Sequence, residues 1–200
     1  MLFRTKFYHL LCKFLYDQLH NELNCDLASD TPNNHLPEFH GKLSIYPSAV
    51  ETFFAPSDIC GVSGMCHQCI HAVPSWRCGP PRYDWIFVHT NPEAKGMEAL
   101  DIAQVHAFFS FASWGITYPC ALVHWFVQVG DEVDEDTGMW VVELDLDATG
   151  APVAGIQVVH LDSVLWVAHL MGLCGEAFVP KTLTPYNSLD FFHSFYVNSL

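Results

Sequence analysis

Hydrophobic residues near the start of the chain recur at the spacing of one face of a helix. They are Phe3, Phe7, Leu10, Leu11, Phe14 and Leu19. Steps of three and four residues keep apolar side chains on one side of a helix, so this pattern predicts an amphipathic helix over about residues 3 to 22. Residues 24 to 42 are rich in Asp, Asn, Pro and Gly and predict a linker or surface loop.

Between residues 84 and 161 the pattern changes to the short apolar or alternating runs typical of β-strands. The runs are DWIFVH (84–89), IAQVHAFFSF (102–111), YPCALVHWFV (118–127), MWVVEL (139–144) and IQVVHL (156–161). Trp114 and Gly115 separate the second run from the third and predict the turn of a hairpin. Strands at this close spacing predict a small antiparallel β-barrel or sandwich.

The segment before this body has helical and loop signals. In SAVETFF (48–54), Ser48 stands three residues before Glu51, which is the spacing of a helix capping box. Residues 55 to 81 are rich in Gly, Pro and Cys without a sustained period, and they predict a loop.

The C-terminal part predicts two more helices, DSVLWVAHL (162–170) and NSLDFFHSFYVN (187–198), the latter capped by Asn187 or Ser188. The predicted fold class is therefore α+β, a β-barrel or sandwich with an N-terminal helix and C-terminal helices. Its predicted divisions are a helix and linker (1–45), a short helix and Cys-rich loop (46–82), a β-rich domain with a terminal helix (83–175) and a truncated helical tail (176–200).

The net charge of the chain indicates which kinds of molecule it can bind. The chain has 22 acidic against 8 basic residues and a net charge of −14. Phosphate contacts are made mainly by Lys and Arg, so this balance disfavours a free-standing nucleic-acid binder. It favours basic partners such as histone tails, or else serves solubility. No signal peptide or membrane span is predicted, which indicates an intracellular protein whose eight cysteines are free thiols or metal ligands.

The richest candidate for chemistry is GMCHQCIHAVPSWRCG (64–79). With the preceding cysteine it suggests a zinc site built on Cys60, Cys66, Cys69 and Cys78, or on three of these cysteines with His67 or His71 as the fourth ligand. Against this, the spacing contains a single CxxC and lacks the second pair of a zinc ribbon. A thioredoxin-like redox site is disfavoured because Gly, Ser and Pro flank the CxxC in place of a strand and a helix.

Other motifs have plainer readings. DTG (136–138) and DATG (147–150) resemble the turns of aspartic proteases, but Asp136 lies in an acidic run that predicts an exposed loop. A hydrolase using Asp136 or Asp147 is therefore a distant alternative. Four histidines lie on or beside strands and are predicted to pack: His106, His124, His160 and His169. The tryptophans could line a pocket for methylated lysine, although core packing is their commoner role.

Several stretches, in their order along the chain, resemble the C-terminal region of Plavaka-type proteins, which DNA transposons of mushroom-forming fungi encode and which belong to a KDZ-like transposase superfamily. The stretches are FLYDQLH, FFAPSDICGVSGM, AVPSWRCGPPRYDWIFV, FFSF…YPCALVHWF, GDEVDEDTGMWVVE, VVHLDSV…AHL and SLDFFHSFYVN. The resemblance runs from about residue 13 to residue 198. It implies no catalytic residues, because the family's transposase core lies upstream. By analogy of fold, a strand-rich body of this kind is similar to bromo-adjacent-homology (BAH) or SH3-like modules that read chromatin.

The departures from that family follow a chemical pattern. Where its members tend to carry arginine, this chain has Cys66, His67, Cys69, His71, Gln104, His106, Gln128, Trp166 and His193. A single transition in an arginine CGN codon yields Cys, His, Gln or Trp, which indicates a decayed transposon fragment. Arginine at those nine positions would move the net charge from −14 to about −5 and create a basic surface around residues 66 to 78.

The function predicted from the sequence is a non-catalytic interaction module derived from the tail of a transposon protein. Its expected partners are the remainder of a transposase or chromatin proteins in the nucleus, with nucleic acid a weaker candidate and a membrane excluded. The candidate binding residues are Arg77, Arg82, Trp85, Trp125 and Trp140. A zinc-stabilised interaction domain is the alternative.

Overall fold

The computed structural model describes residues 2–20, 36–54, 64–144, 155–174, 179, 181–184 and 191–198. Within these ranges the chain forms one long helix, α1 (Leu2–His20), followed by β-strands. The strands are β1 (Leu43–Tyr46), β2 (Ser48–Phe54), β3 (Met65–Val73), β4 (Arg82–Tyr83), β5 (Trp85–His89), β6 (Leu100–Ser113), β7 (Ile116–Gln128), β8 (Trp140–Leu144), β9 (Ile156–His160), β10 (Val164–Val167), β11 (His169–Gly172) and β12 (Ser194–Asn198). The 3-10 turns Gly96–Ala99 and Leu161–Ser163 precede β6 and β10.

The hairpin of β6 and β7 is the spine of the larger sheet. Trp114 and Gly115 form its turn with φ of 49° and 80°, and positive φ at both central residues is what a tight hairpin turn requires. This confirms the hairpin predicted from the sequence. The strands of 14 and 13 residues are long enough to take different partners along their lengths.

All strand pairs are antiparallel, and the strands form two groups. The larger sheet has the order β10-β5-β6-β7-β8-β12-β11, with β1 beside the end of β6 and β9 beside the middle of β7. The smaller sheet has the order β2-β3-β4. In the described part of the chain the sheets do not close, so the barrel alternative is wrong.

One extra residue in β6 lets the same strand contribute side chains to two separate hydrophobic clusters. The register shifts between Val105 and Ala107, which makes His106 the additional residue of a β-bulge. Because side chains alternate between faces, one inserted residue reverses which positions point to which side. Ala103 and Val105 therefore join the core between the two sheets, whereas Phe109 packs under α1. Strict alternation along a strand from residue 102 to residue 111 would instead place Ala103, Val105 and Phe109 on a single face.

The core between the sheets combines buried aliphatic residues from β3, β5, β6, β7 and β10. Its most buried members are Ile70, Ile86, Val88, Ala103, Val105, Ala121, Val123 and Val164. Burial of a valine or isoleucine side chain contributes roughly 1.5–3 kcal/mol to folding. This cluster joins the smaller sheet to the larger one.

The helix α1 covers the opposite face of the hairpin and confirms the N-terminal helix. Leu11, Phe14 and Leu15 are buried, and the ring of Phe14 meets Phe111 and Tyr118 edge to face at 6.2 and 6.0 Å. A third cluster, at the far end of the sheet, gathers Phe87, Phe126, Val142, Phe195 and Val197.

Three predicted helices are wrong in the described residues. Residues 48 to 54 form β2, which pairs with β3 over seven consecutive positions. Residues 164 to 172 form β10 and β11, and residues 194 to 198 form β12; positions 187 to 190 lie outside the described residues. The physical reason is that ladder bonds and burial of β-branched and aromatic side chains outweigh a local capping signal.

The loop predicted over residues 55 to 81 is also wrong in part. Residues 65 to 73 form β3, the central strand of the smaller sheet. In this strand Cys66, Gln68, Ile70 and Ala72 alternate with more outward residues, a period of two that the dense Cys and His content obscured.

Candidate functional site

The candidate site surrounds Asp84, at the corner where the chain passes from β4 to β5 and so from one sheet to the other. The backbone N–H of Asp84 donates to His71 O at 3.0 Å, and Asp84 O accepts from Val105 N at 3.0 Å. The residue is buried, with 8% of its surface exposed. Its backbone is therefore held between β3 and β6.

The carboxylate of Asp84 has partners on both oxygens. Arg82 donates from Nε to Oδ1 at 2.8 Å and from Nη2 to Oδ2 at 3.1 Å. His71 donates its backbone N–H to Oδ2 at 2.8 Å, and its Nδ1 lies 3.3 Å from the same oxygen. A buried charge is costly unless it is paired, and the bidentate guanidinium supplies that pairing.

Trp76 brings the two predicted binding arginines together. The guanidinium carbons of Arg82 and Arg77 lie 5.0 and 5.3 Å from the centre of its ring, within cation–π range. The ring of His71 meets the same indole edge to face at 4.1 Å. Arg77 and Cys78, which follow Trp76, have positive φ angles of 50° and 62°. Trp76 was not among the predicted residues, although its place next to Arg77 was the available signal.

The predicted tryptophans do not gather into one aromatic cage. Trp85 and Trp140 pack against the third cluster, whereas Trp125 packs against the core between the sheets. The indole N–H of Trp125 donates to Gln157 Oε1 at 2.8 Å. These positions match the core-packing reading.

The CxxC of the predicted zinc site lies within β3, and a strand places residues three apart on opposite faces. Cys69 is exposed together with His67, whereas Cys66 is half-buried on the side of Ile70. Binding of one ion by both Cys66 and Cys69 is therefore disfavoured while β3 stays intact. Cys60 lies outside the described residues, and among the described ones no group of three or more His, Cys, Asp or Glu is arranged to hold a metal.

Of the four histidines predicted to pack, His106, His124 and His160 are packed or locally bonded, and His169 is not. His106 and His124 lie 5.9 Å apart between ring centres, and burial, followed by repulsion from His124, lowers the pKa of His106. His160 Nδ1 accepts from the backbone N–H of Asp162 at 3.3 Å. His169 is exposed on β11.

The acidic loop between β7 and β8 is a locally bonded turn. Thr137 donates its hydroxyl and its backbone N–H to Asp134 Oδ1 at 2.7 and 2.9 Å, and these bonds lower the pKa of Asp134. Asp136 is exposed in this loop, which fits the surface reading, and Asp147 lies outside the described residues.

A second surface feature is the edge of the smaller sheet. In the described part of the chain β2 pairs on one side with β3 and has no strand on its other side. Val50 and Phe54 are 64% and 67% exposed on this strand, and Met65, opposite Phe54, is exposed as well. An exposed edge with apolar side chains is a template for pairing with another extended chain.

No helix among the described residues is long and apolar enough to cross a membrane. Comparison of the chain with family models, with curated proteins and with solved structures finds no match in any of the three.

Proposed function

We propose that this chain is a non-catalytic interaction module that binds an extended basic peptide by adding it as a strand to the free edge of β2. The exposed edge, with Val50 and Phe54 projecting from it, carries the proposal. In strand addition, main-chain hydrogen bonds supply affinity and alternate side chains supply selectivity.

Charge selects the occupant of this edge. A net charge of −14 attracts a cationic segment and opposes close approach of a second copy of the same chain. The bound segment would therefore alternate basic with apolar residues. The apolar ones would lie beside Val50 and Phe54.

The resemblance to Plavaka-type proteins suggests where such a segment comes from. A basic region of a transposase or a histone tail has the required charge, and a nuclear location follows from either. The finer fold assignment belongs to the same proposal: a core enclosed by two sheets supports a sandwich-like arrangement, with the BAH-like comparison an analogy.

The proposed history of the chain also has support in the geometry of β3. Three of the nine positions where relatives tend to carry arginine alternate along this strand and share one of its faces: the exposed His67 and Cys69, and the less exposed His71. Arginine at these positions would form a basic stripe next to Arg77 and Arg82. This stripe is the surface on which an ancestral contact with phosphate groups would be made.

A labelled peptide of alternating lysine and valine tests the proposal by fluorescence anisotropy. We expect saturable binding that the double change Val50→Lys and Phe54→Lys weakens by about tenfold or more, because it places cations at the edge and removes its apolar contacts. The matched control is Ile116→Lys, which changes an exposed apolar residue at the tip of the β6–β7 hairpin.

Two further peptides separate strand addition from attraction of charge alone. A peptide with glutamate in place of lysine should not bind, and one with proline at alternate positions should bind much more weakly, because proline cannot donate ladder hydrogen bonds. Equal binding of the proline peptide, or an equal effect of Ile116→Lys, would contradict strand addition at β2.

A further inference from the structure

The side chains of Cys69, His71 and Asp84 form a row in which His71 lies between the other two. Cys69 Sγ lies 3.5 Å from His71 Nε2, and His71 Nδ1 lies 3.3 Å from Asp84 Oδ2. Cys69 and His71 are two residues apart on one strand, so their side chains lie on the same face. Cys69 is exposed, whereas the side chains of His71 and Asp84 are 12% and 11% exposed.

The surroundings decide which nitrogen of His71 faces the thiol as an acceptor. The ionised carboxylate of Asp84 can only accept hydrogen bonds, so the Nδ1 that approaches it carries the hydrogen. In the neutral ring Nε2 is then the basic nitrogen, and Nε2 is the atom next to Cys69 Sγ. The edge contact with Trp76 and the bonds from Arg82 hold the ring and the carboxylate in place.

We propose that Cys69 is a nucleophilic thiol, with His71 as its proton acceptor and Asp84 as the residue that positions His71. Its reaction is thiol–disulfide exchange with a low-molecular-weight disulfide. His71 Nε2 takes the thiol proton as the sulfur of Cys69 attacks one sulfur of the disulfide. A new S–S bond forms, the old one breaks, and the leaving thiolate takes up a proton to become a thiol. Cys69 is oxidised to a mixed disulfide, and one half of the reagent is reduced.

The open position of Cys69 favours small reagents. Its side chain projects from the outer face of a two-stranded region, directly across from Val50 of β2. The product is thus a modified surface cysteine, and the proposal does not depend on peptide binding at the β2 edge.

The chain contains its own comparison groups. Cys78 and Cys174 are also exposed, and neither is paired with a histidine in the described part of the chain. His67 flanks Cys69 on the other side along the same face of β3, but its Nδ1 bonds to Thr52 Oγ1 at 2.8 Å. His67 is therefore the matched control for His71.

The test uses the whole chain and 2,2′-dipyridyl disulfide, a neutral reagent whose reaction releases a coloured thione. Mass spectrometry of peptides assigns the modified cysteine at each time. We expect Cys69 to react about tenfold or more faster than Cys78 and Cys174 at neutral pH. His71→Gln should bring its rate to within about twofold of theirs, and His67→Gln should leave it unchanged.

A measurement on the unchanged chain covers the case in which His71→Gln fails to fold. In concentrated urea the spatial arrangement of Cys69, His71 and Asp84 is lost, so the rate advantage of Cys69 over Cys78 should disappear. Equal rates of the three exposed cysteines in the native chain, or equal losses in His67→Gln and His71→Gln, would overturn the proposal. An advantage that persists in urea would overturn it as well.

Discussion

The carboxylate of Asp84 meets His71 at two points: its Oδ2 accepts the backbone N–H of His71 at 2.8 Å and lies 3.3 Å from the ring Nδ1. The backbone N–H of Asp84 returns a bond to His71 O at 3.0 Å. One aspartate thus closes the corner between the two sheets and fixes the ring next to Cys69. Stability and the proposed reactivity therefore share this residue.

Replacing Asp84 with Asn should lower the free energy of unfolding by about 1–3 kcal/mol. The change removes the charge that neutralises Arg82 and places an NH₂ group against one of its donors. Urea denaturation measures the loss. Asp162→Asn is the control, because that side chain is 88% exposed and should cost less than about 0.5 kcal/mol. Equal effects of the two changes would refute the role given to Asp84.

Shortening the side chain of Leu15 should destabilise the fold more than shortening that of Leu19, the other leucine compared on α1. Leu15 is fully buried against the β6–β7 hairpin, whereas Leu19, one turn later, is 52% exposed. Leu15→Ala should cost about 2–5 kcal/mol by leaving a cavity, and Leu19→Ala well under about 1 kcal/mol. Similar costs in thermal or urea unfolding would mean that α1 does not pack as described.

Cys120 should make the chain less stable at high pH. Burial raises its pKa from the ordinary value of 9.0 to about 12. Between these values the unfolded chain releases the thiol proton and the folded chain keeps it, so stability falls as pH rises through this window, by at most about 1.4 kcal/mol per pH unit. The difference in free energy of unfolding between the parent and Cys120→Ala should narrow above about pH 9. A difference independent of pH would contradict this.

His106 should have the opposite pH dependence. Burial, followed by repulsion from His124, lowers its pKa below the ordinary 6.5, so the unfolded chain takes up a proton that the folded chain refuses. Stability is then present above pH 6.5 and is lost as pH falls below it. His106→Gln should flatten the curve of unfolding free energy between neutral and mildly acid pH. His40→Gln is the control for loss of a histidine at a surface position, because the His40 side chain is 81% exposed.

The zinc alternative predicts one bound zinc ion per chain, and the geometry of β3 disfavours such a site. Since Cys66 and Cys69 point to opposite faces, we expect purified protein to contain less than about half an equivalent of zinc. Metal analysis by mass spectrometry measures this directly. A full equivalent that Cys69→Ser abolishes would restore the alternative and require β3 to rearrange around the ion.

Local patterns in the sequence determined the parts of this protein whose signals are short-range. The helical spacing from Phe3 to Leu19 predicted α1 within about two residues of its bounds, Leu2–His20. Trp114 and Gly115 marked the hairpin turn because positive φ at a tight turn is a local requirement. Arg77 and Arg82 were singled out as binding residues, and the structure brings both to Trp76.

Tertiary contacts decided the smaller sheet and the cysteine–histidine–aspartate arrangement. The capping spacing from Ser48 to Glu51 is a local helix signal, but pairing with β3 and burial against β10 override it. The CxxC spacing of Cys66 and Cys69 does not reveal whether the backbone is a loop or a strand. In a loop both thiols can face one metal ion, whereas in a strand they lie on opposite faces.

The corner at Asp84 could not be predicted from the sequence either, because it also depends on contacts between separate strands. Its partners are Arg82, two residues away, and His71, thirteen residues away on another strand. Nothing in DWIFVH indicates that its first residue turns the chain between two sheets. The sequence by itself determined the α1 helix and the hairpin, because spacing and turn chemistry act over a few residues. The tertiary structure alone decided which faces, edges and side chains meet, because burial and strand pairing depend on residues far apart in the chain.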